Sequence, residues 1–205
     1  MFFVQSCAVC NAETERGVFC PACRRNELLL EAMPGLLNLD GAVMGYKYSG
    51  ALKDMLHKLK FEGESKFLQP LAEEAAFLAQ AYGESSFDMV VSVPTDAARR
   101  RQRGFDIPES IFAQALAVKG TWQPQVLARI KATAPQYGLV PDKRRSNVRG
   151  CFAVQGDVRG AKILLVDDIL TTGATLDEAA KTLKQAGAKS VYALTLCGSL
   201  ENFGE

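Results

Sequence analysis

The sequence lacks any long apolar run, since no stretch approaches the ~20 apolar residues that a membrane-spanning helix needs. The first five residues have neither the basic segment nor the long apolar segment of a secretory signal. Internal repeats and low-complexity segments are also missing. We therefore expect a cytoplasmic globular protein and not an integral membrane or secreted one. A chain of 205 residues is long enough for one domain with its own core and a small appendage.

The chain also has almost no excess of charge, because 24 Lys and Arg oppose 23 Asp and Glu and leave a net charge of +1. This balance hides a local excess. Residues 91–150 carry eleven basic and four acidic residues, a net charge of +7. Such a block is typical of a surface for an anionic partner, such as a phosphate, a nucleotide or a nucleic acid. A solvated basic loop is the alternative.

Four of the six cysteines lie close together near the N-terminus, as two Cys-x2-Cys pairs separated by nine residues: Cys7, Cys10, Cys20 and Cys23. Four thiolates with this spacing predict a closed, structural zinc site, because they complete a tetrahedron and leave no open position. The segment around them has too little apolar mass to fold without the metal. Two disulfides are the alternative, and they do not suit a cytoplasmic chain.

Apolar spacing predicts strands that alternate with helices. We expect strands near residues 42–48, 87–93, 162–166 and 191–197, and helices near residues 50–60, 65–82, 108–118 and 175–186, with Ser65 and Gly187 as caps. The strands are apolar throughout, which favours a parallel sheet covered by helices on both faces. Residues 31–41, with Pro34 and Gly35, are predicted to connect the zinc module to this α/β domain.

The most informative segment is a strand that ends in Asp167 and Asp168 and continues into a turn that opens a helix. The turn and the first helical residues are Thr171, Thr172, Gly173, Ala174 and Thr175. In an open α/β sheet, ligands bind at the carboxyl ends of the strands. Backbone amides and Thr hydroxyls there suit a phosphate, and the two carboxylates suit adjacent ribose hydroxyls. A plain strand-to-helix connection is the alternative.

This segment resembles the phosphoribosylpyrophosphate (PRPP) fingerprint of the type I phosphoribosyltransferases. The resemblance implies the fold of that family and Mg²⁺ carried on the pyrophosphate of PRPP. It also implies that Asp167 and Asp168 hold the 2′- and 3′-hydroxyls of the ribose as the catalytic pair. Residues 171–175 would then hold the 5′-phosphate.

Further motifs extend the resemblance over nearly the whole chain. Beside the four cysteines, these are Lys58-Leu-Lys60-Phe61-x-Gly63, Val93-Pro94, Arg99-x3-Arg103-Gly104-Phe105, Arg129-x-Lys131-x-Thr133-x2-Gln136, Arg145-x-Asn147-Val148 and Phe152. In order and approximate spacing, the set is similar to the ComF family, which includes the GntX-type DNA-utilisation proteins. This family is linked to DNA uptake in natural transformation or to the use of external DNA as a nutrient. The resemblance implies a zinc module at residues 1–30, a connector at 31–41 and a phosphoribosyltransferase-like domain at 42–205.

The resemblance also gives the basic block a role. It implies a pyrophosphate-binding loop at Val93–Ala97 and a flexible active-site loop that carries the basic residues from Arg129 to Arg149. Pyrophosphate or nucleic-acid contacts are therefore expected at Thr95, Arg99, Arg103 and Arg145. The family usually continues Gly-Phe-Asn-Gln, whereas this chain has Asp106 and Ile107 after Gly-Phe, which puts contacts at those two positions in doubt.

Two functions follow. The first is a PRPP-binding, ComF-like protein of DNA uptake or utilisation, whose partners would include single-stranded DNA and other competence proteins; whether it retains transferase activity stays open. The second is a true phosphoribosyltransferase, which transfers ribose 5-phosphate from PRPP to a nitrogenous base in nucleotide salvage or synthesis. The sequence contains no recognisable pocket for an acceptor base.

Overall fold

The structure, a computed structural model, describes residues 5–33, 38–82, 87–116, 122–133 and 141–199. The strands are β1 (Gln5–Ser6), β2 (Glu13–Thr14), β3 (Leu28–Met33), β4 (Gly41–Lys47), β5 (Met89–Ser92), β6 (Leu127–Arg129), β7 (Phe152–Val154), β8 (Lys162–Leu170) and β9 (Ser190–Gly198). The helices are α1 (Pro21–Glu27), α2 (Gly50–His57), α3 (Leu68–Tyr82), α4 (Ala97–Arg103), α5 (Ile107–Leu116), α6 (Pro141–Val148) and α7 (Ala174–Gln185). A π-helical turn, Lys58–Glu62, extends α2, and short 3₁₀ turns span Ser65–Phe67 and Pro124–Val126.

The main sheet has five strands in the order β3-β4-β9-β8-β5. The strands β4, β9, β8 and β5 are parallel, as their continuous apolar character predicts, and β3 pairs antiparallel with β4 at one edge. The register of β5 on β8 pairs Ser92 with Val166, so both strands end at the same edge of the sheet. The predicted α/β fold with a helix-covered, largely parallel sheet is therefore confirmed.

Helices cover both faces of this sheet. Successive side chains of β8 point to opposite faces, so Ile163 and Leu165 belong to one core and Leu164 and Val166 to the other. Helix α7 packs on the first face, whereas α3 and α5 pack on the second. Helix α7 ends as predicted, because Gly187 adopts a left-handed conformation with φ of 102° and the chain turns away.

The structure differs from the sequence-based expectations at several boundaries. Residues Glu31 to Met33 of the predicted connector belong to β3, while residues 34–37 lie outside the described part of the chain. Ser65 does not cap an α-helix; it begins the 3₁₀ turn that precedes α3. Strand β8 continues to Leu170, because its pairing with β9 extends past the two acids. The acids therefore lie inside the strand and not after it.

A second small sheet was not predicted from the sequence. Strands β6 and β7 form an antiparallel pair in which Arg129 is the partner of Phe152. The chain between them includes α6, so the basic residues from Lys143 to Arg145 lie on a helix and not on an open loop. Residues 134–140 are outside the described residues. Among the described residues, no helix is long and apolar enough to cross a membrane.

Candidate functional site

The carboxyl edge of β8 brings the predicted acids and the predicted phosphate turn into one continuous segment. Asp168 is buried, with only 6% of its surface exposed, and Asp167 is partly buried. The turn that follows leads to Gly173, whose left-handed conformation has a φ of 71° and would strain any residue with a side chain. The Gly173 carbonyl then accepts the first-turn N–H of Asp177 at 2.8 Å, and α7 begins.

The two acids have different surroundings. Asp167 Oδ1 accepts the backbone N–H of Asp168 at 2.8 Å. Burial raises the pKa of Asp167 well above its usual range, and the negative charge of Asp168 raises it further. Asp168 is held by a cation instead, because Lys60 Nζ lies 3.0 Å from its Oδ1 and 2.9 Å from its Oδ2. Burial lowers the pKa of Lys60, but the attraction of Asp168 outweighs that effect, so the net pKa is raised.

The loop after β5 lies at the same sheet edge. Val93 N–H donates to Val166 O at 2.9 Å, which carries the parallel pairing up to the loop. The backbone N–H of Thr95 donates to Oδ2 of the buried Asp106 at 2.8 Å. Asp96 Oδ1 caps α4 by accepting from the N–H of Ala98 at 3.0 Å. Two carboxylates therefore fix the end of the loop that leads into α4.

Asp106 occupies the position at which the chain departs from the ComF pattern. Its Oδ1 accepts the first-turn N–H of Glu109 in α5 at 3.4 Å, while Oδ2 accepts from Thr95. Both carboxylate oxygens are thus used by backbone donors. An Asn at this position would provide one acceptor oxygen for these two donors, whereas Asp provides two.

The four arginines of the basic motif divide into two pairs on α4. Arg99 and Arg103, one helical turn apart, are partly buried, whereas Arg100 and Arg101 are exposed. Arg99 Nη2 donates to the carbonyl of Thr133 at 3.1 Å. Burial lowers the pKa of Arg103, which the nearby charges of Asp168 and Asp106 oppose. The Nε–H of Arg103 donates to the carbonyl of Arg99 at 3.3 Å.

The antiparallel pair of β6 and β7 adds a further cation beside the loop after β5. Arg129 Nη1 donates to the carbonyl of Pro94 at 3.4 Å, and its guanidinium lies 5.2 Å from the centre of the Phe152 ring. The Nε of Arg129 is buried and has no hydrogen-bond partner within the described ranges. Arg145, in contrast, lies exposed on α6, beyond residues 134–140. The structure links Thr95 to Asp106 by a hydrogen bond and places Arg103 within the charge influence of Asp106 and Asp168, but it gives Arg145 no such contact among the described residues.

The four cysteines converge as their spacing predicts. Their Sγ atoms all lie within 4.8 Å of one another, and Cys10 and Cys20 are 3.7 Å apart. A tetrahedral zinc–thiolate site with Zn–S distances of about 2.3 Å has an S–S edge of about 3.8 Å, so these donors fit such an ion. The pairs come from the β1–β2 hairpin and from the start of α1, where Cys20 is the N-cap.

Backbone donors favour the thiolate at Cys7 and Cys20, whereas the interaction with Cys10 and burial raise the pKa of Cys23 to about 12. Burial raises the pKa of the Cys7 thiol, but N–H groups of Cys20, Cys10 and Val9 outweigh that effect and lower the pKa to about 6. Backbone hydrogen bonding by Cys23 likewise lowers the pKa of Cys20. Deprotonated thiols are the form that binds metal ions.

A buried carboxylate attaches this module to the main domain. Glu74 of α3 has no exposed surface, and its Oε1 accepts the N–H groups of Val18 at 2.7 Å and Phe19 at 3.1 Å. Its Oε2 accepts from Arg24 Nε at 2.8 Å and from the Tyr46 hydroxyl at 2.7 Å.

Sequence reasoning gave no role to Glu74 or Lys60. A signal for Glu74 existed, because it lies three residues after Leu71 and so falls on the buried face of the predicted helix. For Lys60, the sequence offered only its place in a family motif. Its contact with Asp168 spans 108 positions along the chain and therefore depends on the tertiary fold.

The chain is similar in sequence to known proteins. Residues 110–202 match the phosphoribosyl transferase domain family. The chain is similar to the DNA utilization protein YhgH of Salmonella typhimurium, with 33% identity over 159 residues that cover 75% of this chain and 70% of that protein. It is also similar to the competence protein ComFC of Streptococcus pneumoniae, with 29% identity over 201 residues that cover 93% of this chain and 86% of that one. Among solved structures, glutamine PRPP amidotransferase from B. subtilis matches with a TM-score of 0.44 and 16% identity, over 69% of this chain and 30% of that chain.

The sheet with its acid-bearing strand and the matched domain define the class: a phosphoribosyltransferase-type α/β protein with an added four-cysteine module. Within that class, the chain belongs to the ComF family of competence and DNA-utilisation proteins.

Proposed function

We propose that this chain binds PRPP at the carboxyl edge of β8 and acts in DNA uptake or utilisation. The observation that carries the proposal is the acid pair Asp167 and Asp168 near the carboxyl end of β8, which leads into the turn before α7. The carboxylates suit the 2′- and 3′-hydroxyls of the ribose, and residues 171–175 suit the 5′-phosphate. The names of the relatives, a DNA utilization protein and a competence protein, support the biological role.

The pyrophosphate of PRPP would contact cations that α4 and β6 provide. Arg99 and Arg103 are directed inward from α4, and Thr95 lies in the adjoining loop. The buried Nε–H of Arg129 adds a donor that has no partner among the described residues. Mg²⁺ carried on the pyrophosphate would neutralise part of its charge. Arg145 remains a candidate contact through α6.

Phosphoribosyl transfer is the second candidate function, and the pairing of acids with inward arginines favours it. In this reaction a nitrogen of the acceptor base forms a bond to the anomeric carbon of PRPP. The bond from that carbon to the pyrophosphate oxygen breaks, and pyrophosphate leaves with the electron pair. Arg99 and Arg103 would stabilise the leaving group, while Asp167 and Asp168 would hold the ribose as positive charge develops on it.

We further propose that the four cysteines hold a structural Zn²⁺ and that the protein acts in the cytoplasm with other competence proteins. The 3.7 Å separation of Cys10 and Cys20 supports a tetrahedral thiolate site. Elemental analysis of the purified protein should find one zinc per chain. Cys20→Ser should lose it, whereas Cys151→Ser, a change at a buried cysteine outside the cluster, should keep it. Full metal content in Cys20→Ser would refute the assignment.

Calorimetric titration of PRPP with Mg²⁺ tests the ligand. We expect the wild type to bind and the Asp167→Asn/Asp168→Asn variant to lose at least tenfold in affinity. Asp157→Asn is the matched control, because Asp157 is an exposed carboxylate paired with Arg159 outside the site. A wild type that does not bind PRPP would refute the proposal. If PRPP binds, release of pyrophosphate with purine, pyrimidine or nicotinate-like acceptors distinguishes a transferase from a PRPP-binding uptake factor.

A further inference from the structure

Lys60 forms an ion pair with Asp168, one of the two acids proposed to hold the ribose hydroxyls. The ammonium of Lys60 lies 3.0 Å from one carboxylate oxygen of Asp168 and 2.9 Å from the other, so it contacts both oxygens. The side chain of Asp168 is 9% exposed and that of Lys60 is 28% exposed. The ammonium therefore occupies both carboxylate oxygens, which are the atoms that would accept from a sugar hydroxyl.

The backbone at Lys60 has an unusual form. Helix α2 continues into the π-helical turn Lys58–Glu62, which ends where the N–H of Gly63 donates to the carbonyl of Lys58. Leu59 is fully buried and anchors the turn, and Gly63 closes it with a φ of 70°. Single π turns occur frequently at functional sites, where the extra residue redirects a side chain. Here the turn directs Lys60 toward the end of β8.

Opening this ion pair is costly unless the ligand supplies a replacement charge. A buried carboxylate that loses its cation, and a cation that loses its carboxylate, are both destabilised. A neutral sugar can satisfy Asp168 with hydroxyl donors, but it offers nothing to Lys60. A ligand with an anionic group next to those hydroxyls can satisfy both. Arg103, whose pKa reflects the charge of Asp168, extends positive potential over the same region.

We propose that Lys60 is a specificity-determining residue. Its ion pair with Asp168 opposes the binding of ribose ligands without a second anionic group. When the ligand carries a pyrophosphate, Lys60 moves to contact that group. This inference rests on the proposed function, because it takes Asp168 as the site of the ribose hydroxyls. The ligand class it selects is a ribose 5-phosphate that bears a pyrophosphate at the anomeric carbon. Ribose 5-phosphate itself must break the Lys60–Asp168 pair without compensation.

Calorimetry with two ligands tests this inference. PRPP and ribose 5-phosphate, each with Mg²⁺, are titrated into the wild type, Lys60→Met and Lys60→Arg. In Lys60→Met we expect the preference for PRPP over ribose 5-phosphate to fall at least tenfold. PRPP binding weakens in this variant, while binding of ribose 5-phosphate is unchanged or tighter. Lys60→Arg keeps the charge and should recover most of the preference.

The matched control is Lys58→Met, in the same π turn. Lys58 is exposed and its ammonium lies 6.0 Å from the centre of the Phe67 ring, away from the acids. This variant should keep the wild-type preference. If Lys60→Met unfolds below the assay temperature, Lys60→Gln, which retains a hydrogen-bond donor, is measured in its place with the same expectation.

The outcomes separate the inference from the proposed function. A Lys60 variant that weakens both ligands equally has lost only a structural counter-ion, which overturns the inference while PRPP binding by the wild type stands. An unchanged preference overturns it as well. A wild type that binds neither ligand overturns the proposed function, and the inference fails with it.

Discussion

Arg24 donates its Nε–H to Oε2 of Glu74 across 2.8 Å, and this contact joins the four-cysteine module to helix α3 of the main domain. The same carboxylate oxygen accepts the hydroxyl of Tyr46 from β4 at 2.7 Å. Glu74 therefore lies between the module and the core of the sheet, with all its surface buried. Glu74 is a buried, fully hydrogen-bonded charge at this junction, and Phe19 of the module also packs on Tyr46, so the folding of the module and that of the domain are expected to be coupled.

Glu74→Gln should be strongly destabilising. The amide replaces one acceptor oxygen with an NH₂ group, which then faces donors from the backbone of Val18, from Arg24 or from Tyr46. Breaking a buried ion pair by removing one partner costs about 3–5 kcal/mol. For a chain of this size, we therefore expect the melting temperature to fall by about 6–20 °C. Thermal unfolding followed by circular dichroism measures this shift.

The matched control for that experiment is Glu109→Gln. Glu109 pairs with Arg100 at 3.5 Å, and both side chains are substantially exposed to solvent. Exposed ion pairs contribute about 0–1 kcal/mol, so this variant should melt within a few degrees of the wild type. Equal melting temperatures for the two variants would contradict a coupling role for Glu74.

Asp167→Asn should stabilise the protein at neutral pH while it impairs the site. Burial and the charge of Asp168 raise the pKa of Asp167 in the folded state, so the folded protein holds a proton that the unfolded chain releases. The free energy of unfolding therefore falls as pH rises from the ordinary Asp value of about 4 toward the raised pKa. Asn does not titrate, and its oxygen can still accept the N–H of Asp168.

Melting curves of the wild type and of Asp167→Asn between pH 4 and pH 8 measure this pH dependence of stability. The melting temperatures should be close at pH 4, and the variant should melt higher at pH 7 to 8. Taking the difference between the proteins removes the contribution of every other titrating group. Asp157→Asn should instead melt below the wild type at pH 7 to 8, because Arg159 lowers the pKa of Asp157 to about 2 and so stabilises the folded wild type. A less stable Asp167→Asn at pH 8 would contradict the raised pKa.

The parts of the fold that could be predicted were those with a local signal. The apolar run around Val166 and the spacing of Leu71, Ala75 and Leu78 identify a buried strand and a helix without reference to the rest of the chain. Strands β6 and β7 were missed because each has three residues, and neither is long enough to show a period. Strand β3 was missed because it is an edge strand whose assignment depends on its pairing with β4.

The candidate site likewise has residues that a local sequence signal predicts and residues whose role depends on the tertiary fold. The acids Asp167 and Asp168 and the four cysteines are close together in sequence, so their spacing carries the chemistry. The sorting of the arginines into Arg99 and Arg103, which face inward, and Arg100 and Arg101, which face solvent, could not be predicted because the position of α4 against the loop sets it. The role of Asp106 depends on Thr95, which only the folded chain brings within 2.8 Å.

Asp106→Asn should cost less stability than Asp106→Ala. The amide oxygen of Asn can still accept from Glu109 or from Thr95, but its NH₂ group then faces the other N–H, so the change should cost about 1 kcal/mol. Alanine leaves both N–H groups without this acceptor and should cost about 2 kcal/mol, and it releases the loop after β5. Chemical denaturation and PRPP titration of both variants measure the two effects. Equal loss in Asp106→Asn and Asp106→Ala would show that the charge itself is needed.

The two arginine pairs on α4 should separate ligand binding from DNA binding. Arg99→Gln/Arg103→Gln removes the two partly buried cations of α4, which are proposed to contact the pyrophosphate. It should weaken PRPP binding at least about tenfold, because hydrogen bonds to charged groups contribute about 1.5–3 kcal/mol each. Arg100→Gln/Arg101→Gln removes two exposed charges and should leave PRPP binding unchanged. The exposed pair is instead available to the phosphates of a single-stranded DNA.

Fluorescence anisotropy with a single-stranded oligonucleotide at several salt concentrations measures the second role. Each phosphate contact on a single strand contributes about 0.7 to the slope of log affinity against log salt concentration. Loss of two contacts in Arg100→Gln/Arg101→Gln should therefore reduce that slope by about 1.4, whereas loss of the inward pair should change it less. If the inward pair alone governs both ligands, DNA and PRPP share one site and compete. If neither pair alters the slope, the basic face of α4 does not bind DNA. PRPP is then the one ligand proposed for α4, and it is bound by the inward pair.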